Sequence, residues 1–192
     1  MQVPEAVSKA FQFVNMFGKI MYLKLFKLPN GKVKDFYMWD STTRPVMIFA
    51  LTDDNQVIVL DQYCYAVEKV VEGEVPGGCI DEGEPAIFAA TRELRKETGY
   101  EAKNWVFLGD GFFFEPHNFA VGYSIYLARG CRLAGAPQTE ETEFIEVRTV
   151  PLREWIMLVD SGRVHDSKTV VATNRALAYL GFARVAPGDF KH

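Results

Sequence analysis

A chain of 192 residues, 48% of them hydrophobic, is long enough to bury one sizeable core with a small appendage. The net charge of −4 arises from 25 acidic and 21 basic residues that are interspersed, which excludes an extended nucleic-acid footprint or a basic face for a membrane. Three widely spaced cysteines without a C-x-x-C pair (Cys64, Cys79 and Cys131) exclude a disulfide framework or zinc site; with no secretory signal and no apolar run near the roughly 20 residues of a membrane span, a cytoplasmic protein is expected.

Residues 4–16 place Val7, Ala10, Phe11 and Val14 at helical spacing behind Pro4, which predicts an N-terminal helix. KIMYLKLFKL then alternates, Asn30-Gly31 supplies a turn and KVKDFYMW returns, the pattern of a β-hairpin. These residues, 1–42, are expected to pack on the main domain or on a second subunit, and residues 43–192 to form that domain. PVMIFALT and QVIVLDQY read as strands joined at Asp53, Asp54 and Asn55, and VEGEVPGGCIDEGE reads as a loop. A helix over PAIFAATRELRKET follows, closed by Gly99. Further strands are expected around NWVFLGDGFFF, VGYSIYLAR and FIEVRTV, and two amphipathic helices near LREWIMLVDSG and SKTVVATNRALAYLG. The fold class is α+β, or mixed α/β, with helices segregated from strands.

The chemistry concentrates between Gly78 and Tyr100. Glu93 and Glu97 are four residues apart, so on a helix their carboxylates point the same way. Like charges at that spacing destabilise a bare helix, but make sense when they share a hard divalent cation such as Mg²⁺ or Mn²⁺. Gly77-Gly78 permits close approach of the chain, and a carbonyl there adds a ligand. Glu84 and Arg92 are placed to pair across the loop–helix junction. Taken alone, two glutamates at this spacing more often mark a solvated helix face.

The whole segment is more specific than the pair, and it resembles the box of the Nudix hydrolases. Gly78, Glu84, Arg92, Glu93, Leu94, Glu97, Gly99 and Tyr100 all occupy their expected places. The resemblance implies an α/β/α sandwich with a mixed sheet, to which the N-terminal helix and hairpin are added. It also implies a metal-dependent pyrophosphohydrolase. Gly77, Glu93 and Glu97 are the implied metal site, and Gly78, Glu84, Arg92 and Gly99 are structural. Lys96 stands where the family has the first of two adjacent glutamates. Either the lysine fills the space of a second metal and touches phosphate, or the site is degraded and only binds.

VLDQYCYAVEKVVEGEVPGG resembles the segment before the box in ADP-ribose and nucleotide-sugar pyrophosphatases, whose members are commonly dimers with exchanged N-terminal parts. Gln62 and Glu74 match that branch's motifs, whereas the arginines flanking the Gln-aromatic pair are replaced by Asp61 and Cys64, which removes two forks suited to phosphate. Arg44, Lys69 and His117 are candidate substitutes; His165 and His192 have no partners at ligand spacing. The resemblance places a general base on a late loop, at Glu141 with Glu143 as its rival. The implied reaction is hydrolysis of a nucleoside-diphosphate-linked small molecule, such as ADP-ribose or a nucleotide sugar, to two phosphomonoesters by a homodimer. Two other readings stay open: a catalytically degraded domain that senses a nucleotide, supported by Lys96, and a structural dimerisation module, supported by 14% aromatic content.

Overall fold

The computed structural model describes residues 1–16 and 18–182. His192, and the end of the domain expected to run to residue 192, lie outside the described residues. Strands β1 (Glu5–Ala6), β2 (Phe11–Met16), β3 (Lys19–Lys27) and β4 (Val33–Ser41) form a four-stranded antiparallel sheet. The expected hairpin is β3–β4, in register from Lys19↔Ser41 to Lys27↔Val33.

The helix expected over residues 4–16 is absent; the segment is strand instead. Phe11 pairs with Leu23, and Asn15 with Ile20. Phe11, Phe13 and Val14 also suit a pleated surface, and the neighbouring edge of β3 supplies hydrogen bonds that outweigh weak helical periodicity.

The second sheet contains β5 (Pro45–Thr52), β6 (Gln56–Cys64), β7 (Lys69–Glu74), β8 (Gly77–Cys79), β9 (Tyr100–Glu101), β10 (Asn104–Phe113), β11 (Gly122–Leu133) and β12 (Ile145–Pro151). Its main path runs β10-β11-β5-β6-β12, and the β11–β5 pair is parallel while its other pairs are antiparallel. Helix α1 (Ala86–Thr98) covers one face; α2 (Leu152–Asp160) and α3 (Ser167–Tyr179) cover the other. Covering both faces explains why β5 is a continuous apolar run: Val46, Ile48 and Ala50 pack with Ala89, Ala90 and Leu94, whereas Met47, Phe49 and Leu51 pack with Trp155, Ala172 and Leu177. The fold is the expected mixed α/β sandwich. No described helix is long and apolar enough to cross a membrane.

The stretch expected as a loop, residues 71–84, is partly strand, because two ladders claim it. The β5–β6 ladder is confined to Ala50↔Ile58 and Leu51↔Val57, next to their turn. Beyond it the strands diverge: β6 pairs with β7, and β5 pairs with β8 from Pro45↔Cys79 to Met47↔Gly77. This divergence opens the cleft described next.

Candidate active site

Alpha helix α1 enters the site from the loop at Glu84 and ends at Gly99, whose φ of 76° is left-handed and whose N–H donates to Arg95 O at 2.9 Å. Its inner face carries Ala90 and Leu94 into the core and, one step round, Glu93 and Glu97 toward β8. Those two carboxylates are only 5% and 6% exposed. Gly77 N–H donates to Glu97 Oε2 at 2.9 Å. A side chain on either glycine would fill the space: a Cβ at Gly78 would lie 2.6 Å from Glu93 Oε1, and one at Gly77 2.4 Å from the Val46 carbonyl.

Arg92 braces this arrangement. Its Nε and Nη2 donate to Glu84 Oε1 and Oε2 at 3.1 and 2.8 Å, Nη2 also donates to Cys79 O at 2.8 Å, and Nη1 meets Glu93 Oε1. Glu84 Oε2 accepts Asp81 N–H at 3.0 Å. The forked guanidinium thus ties loop, strand end and helix together, and holds Glu93 beside the Gly78 backbone.

Burial pushes the Glu97 carboxyl up to about 8; the Gly77 N–H opposes the rise, while the charges of Glu93 and Glu143 add to it. Glu93 is also raised, by burial first, against the pull of Lys96 and Arg92. Burial works against the charge of Lys96, but bonds to Glu140 and Glu143 and the charge of Glu93 outweigh it and hold the ammonium well above the usual lysine range. The site therefore contains two buried acids, of which Glu93 is paired with Arg92 whereas Glu97 is held by a backbone N–H and by no salt bridge among the described residues.

Beside the acids lies a cleft of about 470 Å³ between the splayed strands. Glu97, Gly77 and Gly78 line it, together with Gln62, Glu74 and Cys64. Burial raises the Glu74 carboxyl, helped by Asp166 and opposed by Lys168. Lys168 Nζ stands 3.9 Å from Glu74 Oε1 and 5.9 Å from the centre of the Phe114 ring. Lys168 and Lys19 are cleft cations that sequence reasoning missed. No local signal marks them, because α3 and β3 reach the cleft only through the tertiary fold.

Arg44 and His117 do not line the cleft. Arg44 Nη1 pairs with Asp40 at 3.4 Å and donates to Ala120 O at 3.2 Å, and His117 is exposed in the loop organised by Glu115. Asp61 is turned away as well, with its carboxylate held by Arg148 Nε at 2.8 Å and Gly73 N–H at 2.7 Å. On the late loop, Glu141 is exposed and makes no hydrogen bond or ion pair among the described residues, whereas Glu143 is half-buried, with Oε1 on Lys96 and Oε2 on Glu140 N–H. Thr142, between them, lines the cleft, and its carbonyl accepts from Tyr65 Oη at 3.2 Å.

The fold and the sequence have counterparts among known proteins. A solved "ADP compounds hydrolase" superposes with a TM-score of 0.81 at 22% identity, covering 95% of this chain and 98% of that one. The ADP-ribose pyrophosphatase of Bacillus subtilis is 32% identical over 160 residues, 81% of this chain and 84% of its own. The CMP-5'-(N-acetyl-N-hydroxy-3-aminopropyl)phosphonate hydrolase of Streptomyces rubellomurinus is 33% identical over 167 residues, 84% and 76% of the two chains. The NUDIX domain family matches residues 41–172, a span that holds α1, its glycine turn and all of the cleft lining but Lys19, and the chain thus belongs to the NUDIX family as a pyrophosphohydrolase.

Proposed function

We propose that this hydrolase cleaves the pyrophosphate bond of a nucleoside-diphosphate-linked small molecule, ADP-ribose first and nucleotide sugars next, to two phosphomonoesters. The observation that carries the proposal is the buried Glu97, with Glu93 one helical turn before it, in the wall of a cleft large enough for such a ligand. An anionic diphosphate is admitted there only with a cation between it and the carboxylates. The donor set is hard: Glu93, Glu97 and the Gly77 carbonyl. Such donors suit Mg²⁺ or Mn²⁺, which accept one or two carboxylates and complete their shell with water and phosphate oxygens.

When bound, the ion would supply charge neutralisation of the diphosphate and a more acidic water. The chain does the rest. Gly77 N–H fixes the rotamer of Glu97, and Arg92 holds Glu93 in line. Lys168 and Lys19 supply cleft cations for phosphate oxygens, and Gln62 and Glu74 hydrogen-bond the polar edges of the nucleoside or sugar. Glu141 accepts the proton as a water oxygen bonds to phosphorus and the bridging P–O bond breaks, releasing one phosphomonoester as the leaving group. Exposed Phe11, Phe13, Tyr37 and Trp39 on the N-terminal sheet support pairing with a second copy. Hydrolysis is preferred to a binding-only role because Lys96 leaves the contact between Glu97 and Gly77 untouched and the Arg92–Glu84 brace is complete.

The test is hydrolysis of ADP-ribose, nucleotide sugars and dinucleoside polyphosphates with Mg²⁺ or Mn²⁺ by the wild type, Glu93→Gln and Glu97→Gln. A fall of about 10²-fold or more in each variant is expected. Wild-type rates in both variants would sink the assignment.

A further inference from the structure

Lys96 stands one residue before Glu97, at a position where a glutamate would have placed a further carboxylate beside the metal helix. Its Nζ donates to Glu140 Oε1 at 3.0 Å and to Glu143 Oε1 at 3.1 Å, and lies 4.0 Å from Glu93 Oε2. The ammonium therefore sits among three carboxylates, one from α1 and two from the loop that follows β11. Oxygens of that kind, converging from two elements, are what a hard cation takes as ligands.

The same contacts fasten the loop. Glu143 N–H donates to Glu140 O at 2.9 Å and Glu140 N–H to Glu143 Oε2 at 2.8 Å, so residues 140–143 form a closed turn. Gln138 N–H donates to the Lys96 carbonyl at 2.7 Å, which attaches the start of the loop to the same residue. Without the ammonium, Glu140 and Glu143 would face Glu93 as like charges and the turn would be driven away from α1. Glu141 lies between the two gripped residues. An isolated exposed ion pair contributes little, but here one side chain, 23% exposed, joins three acids, and the carbonyl of the same residue holds the start of the loop.

We propose that Lys96 is a resident cation that takes the place of one divalent ion and positions the loop carrying Glu141, so that the chain binds fewer metal ions than it would with glutamate there. This rests on the reading of Glu93 and Glu97 as metal ligands.

The experiment counts Mn²⁺ bound to the metal-free full chain, by electron paramagnetic resonance of the free ion, for wild type, Lys96→Arg and Lys96→Glu. One ion per chain is expected for wild type and Lys96→Arg, and at least one more for Lys96→Glu. Equal numbers in wild type and Lys96→Glu would overturn the proposal. No Mn²⁺ in any protein would instead overturn the metal reading beneath it. Lys96→Met, which removes the charge without adding a carboxylate, guards against misfolding of the glutamate variant. In it the Glu140 amide is expected to exchange its hydrogen at least about tenfold faster than in wild type. Unchanged exchange would overturn the positioning role.

Discussion

Replacing one or the other of two adjacent glycines by alanine should separate the chemistry from the fold. A Cβ at Gly78 would stand 2.3 Å from Glu93 Cδ and 2.6 Å from its Cγ, far inside contact distance. The neighbour that must give is a side chain, but one buried and gripped by Arg92, so its carboxylate is displaced by roughly 1 Å, a shift that lowers a rate about 10²-fold when it affects a catalytic constellation. The accompanying loss of stability is about 1–3 kcal/mol. At Gly77 the obstacle is the Val46 carbonyl, 2.4 Å away and part of a central strand, which no rotamer change relieves. Gly77→Ala is thus expected to lose the larger share of stability, at about 2–4 °C of Tm per kcal/mol for a domain of this size. Calorimetry and kcat with Mg²⁺ check both. Because Gly78→Ala acts through Glu93, adding it to Glu93→Gln should lower activity little further. Undiminished activity in Gly78→Ala, or full additivity with Glu93→Gln, would refute the reasoning.

Two further outcomes follow from groups around the site and the core. Arg92→Lys keeps a charge but loses the fork that holds Glu84, Cys79 O and Glu93 together; with the side chain 36% exposed, the stability loss should stay near 1 kcal/mol while kcat falls about tenfold or more, and equal kcat in the two proteins would refute the brace. Burial pushes the Cys131 thiol up from 9.0 to about 12, with Leu51 opposing and Asp53 adding. Being raised, this acid favours the fold only while neutral: its contribution is intact below pH 9 and declines as pH rises through the window to 12. By pH 10.5 the loss is about 2 kcal/mol. The stability difference between wild type and Cys131→Ala, measured by denaturant unfolding from pH 8 to 10.5, should shrink by that amount; a constant difference would contradict it.

The elements that could be read in the sequence are those whose determinants are local. The spacing of Glu84, Arg92, Glu93, Glu97 and Gly99 is set by one helix and its two ends, so the brace of Arg92 on Glu84 and the shared face of the two acids were accessible from residue numbers alone. β5 was legible because burial on both faces makes its whole length apolar. In the N-terminal segment Val7, Ala10, Phe11 and Val14 satisfy a helical period that its pairing with β3 overrides. Strands β7 and β8 were hidden in a Gly-rich acidic stretch, since their partners lie on separate strands. The cleft was less legible still. Lys168 and Lys19 come from opposite ends of the chain, while Arg44 and His117 lie outside the cleft. Asp61 replaces an expected arginine, yet its carboxylate serves Arg148 on the other side of the sheet.

The restricted ladder between β5 and β6 gives the domain something like the spine of a half-opened book. Asn55, at the tip with φ 58°, supplies the carbonyl that accepts the first amide of α2, Leu152 N–H, at 3.0 Å. The angle between the two covers is consequently set at a point remote from the reacting atoms and secured by a helix that never touches them. Exchanges at this spine would alter which ligands fit between the covers while every acidic group stayed in its own cover, so related chains can diverge in selectivity without any change in the residues that face the ligand.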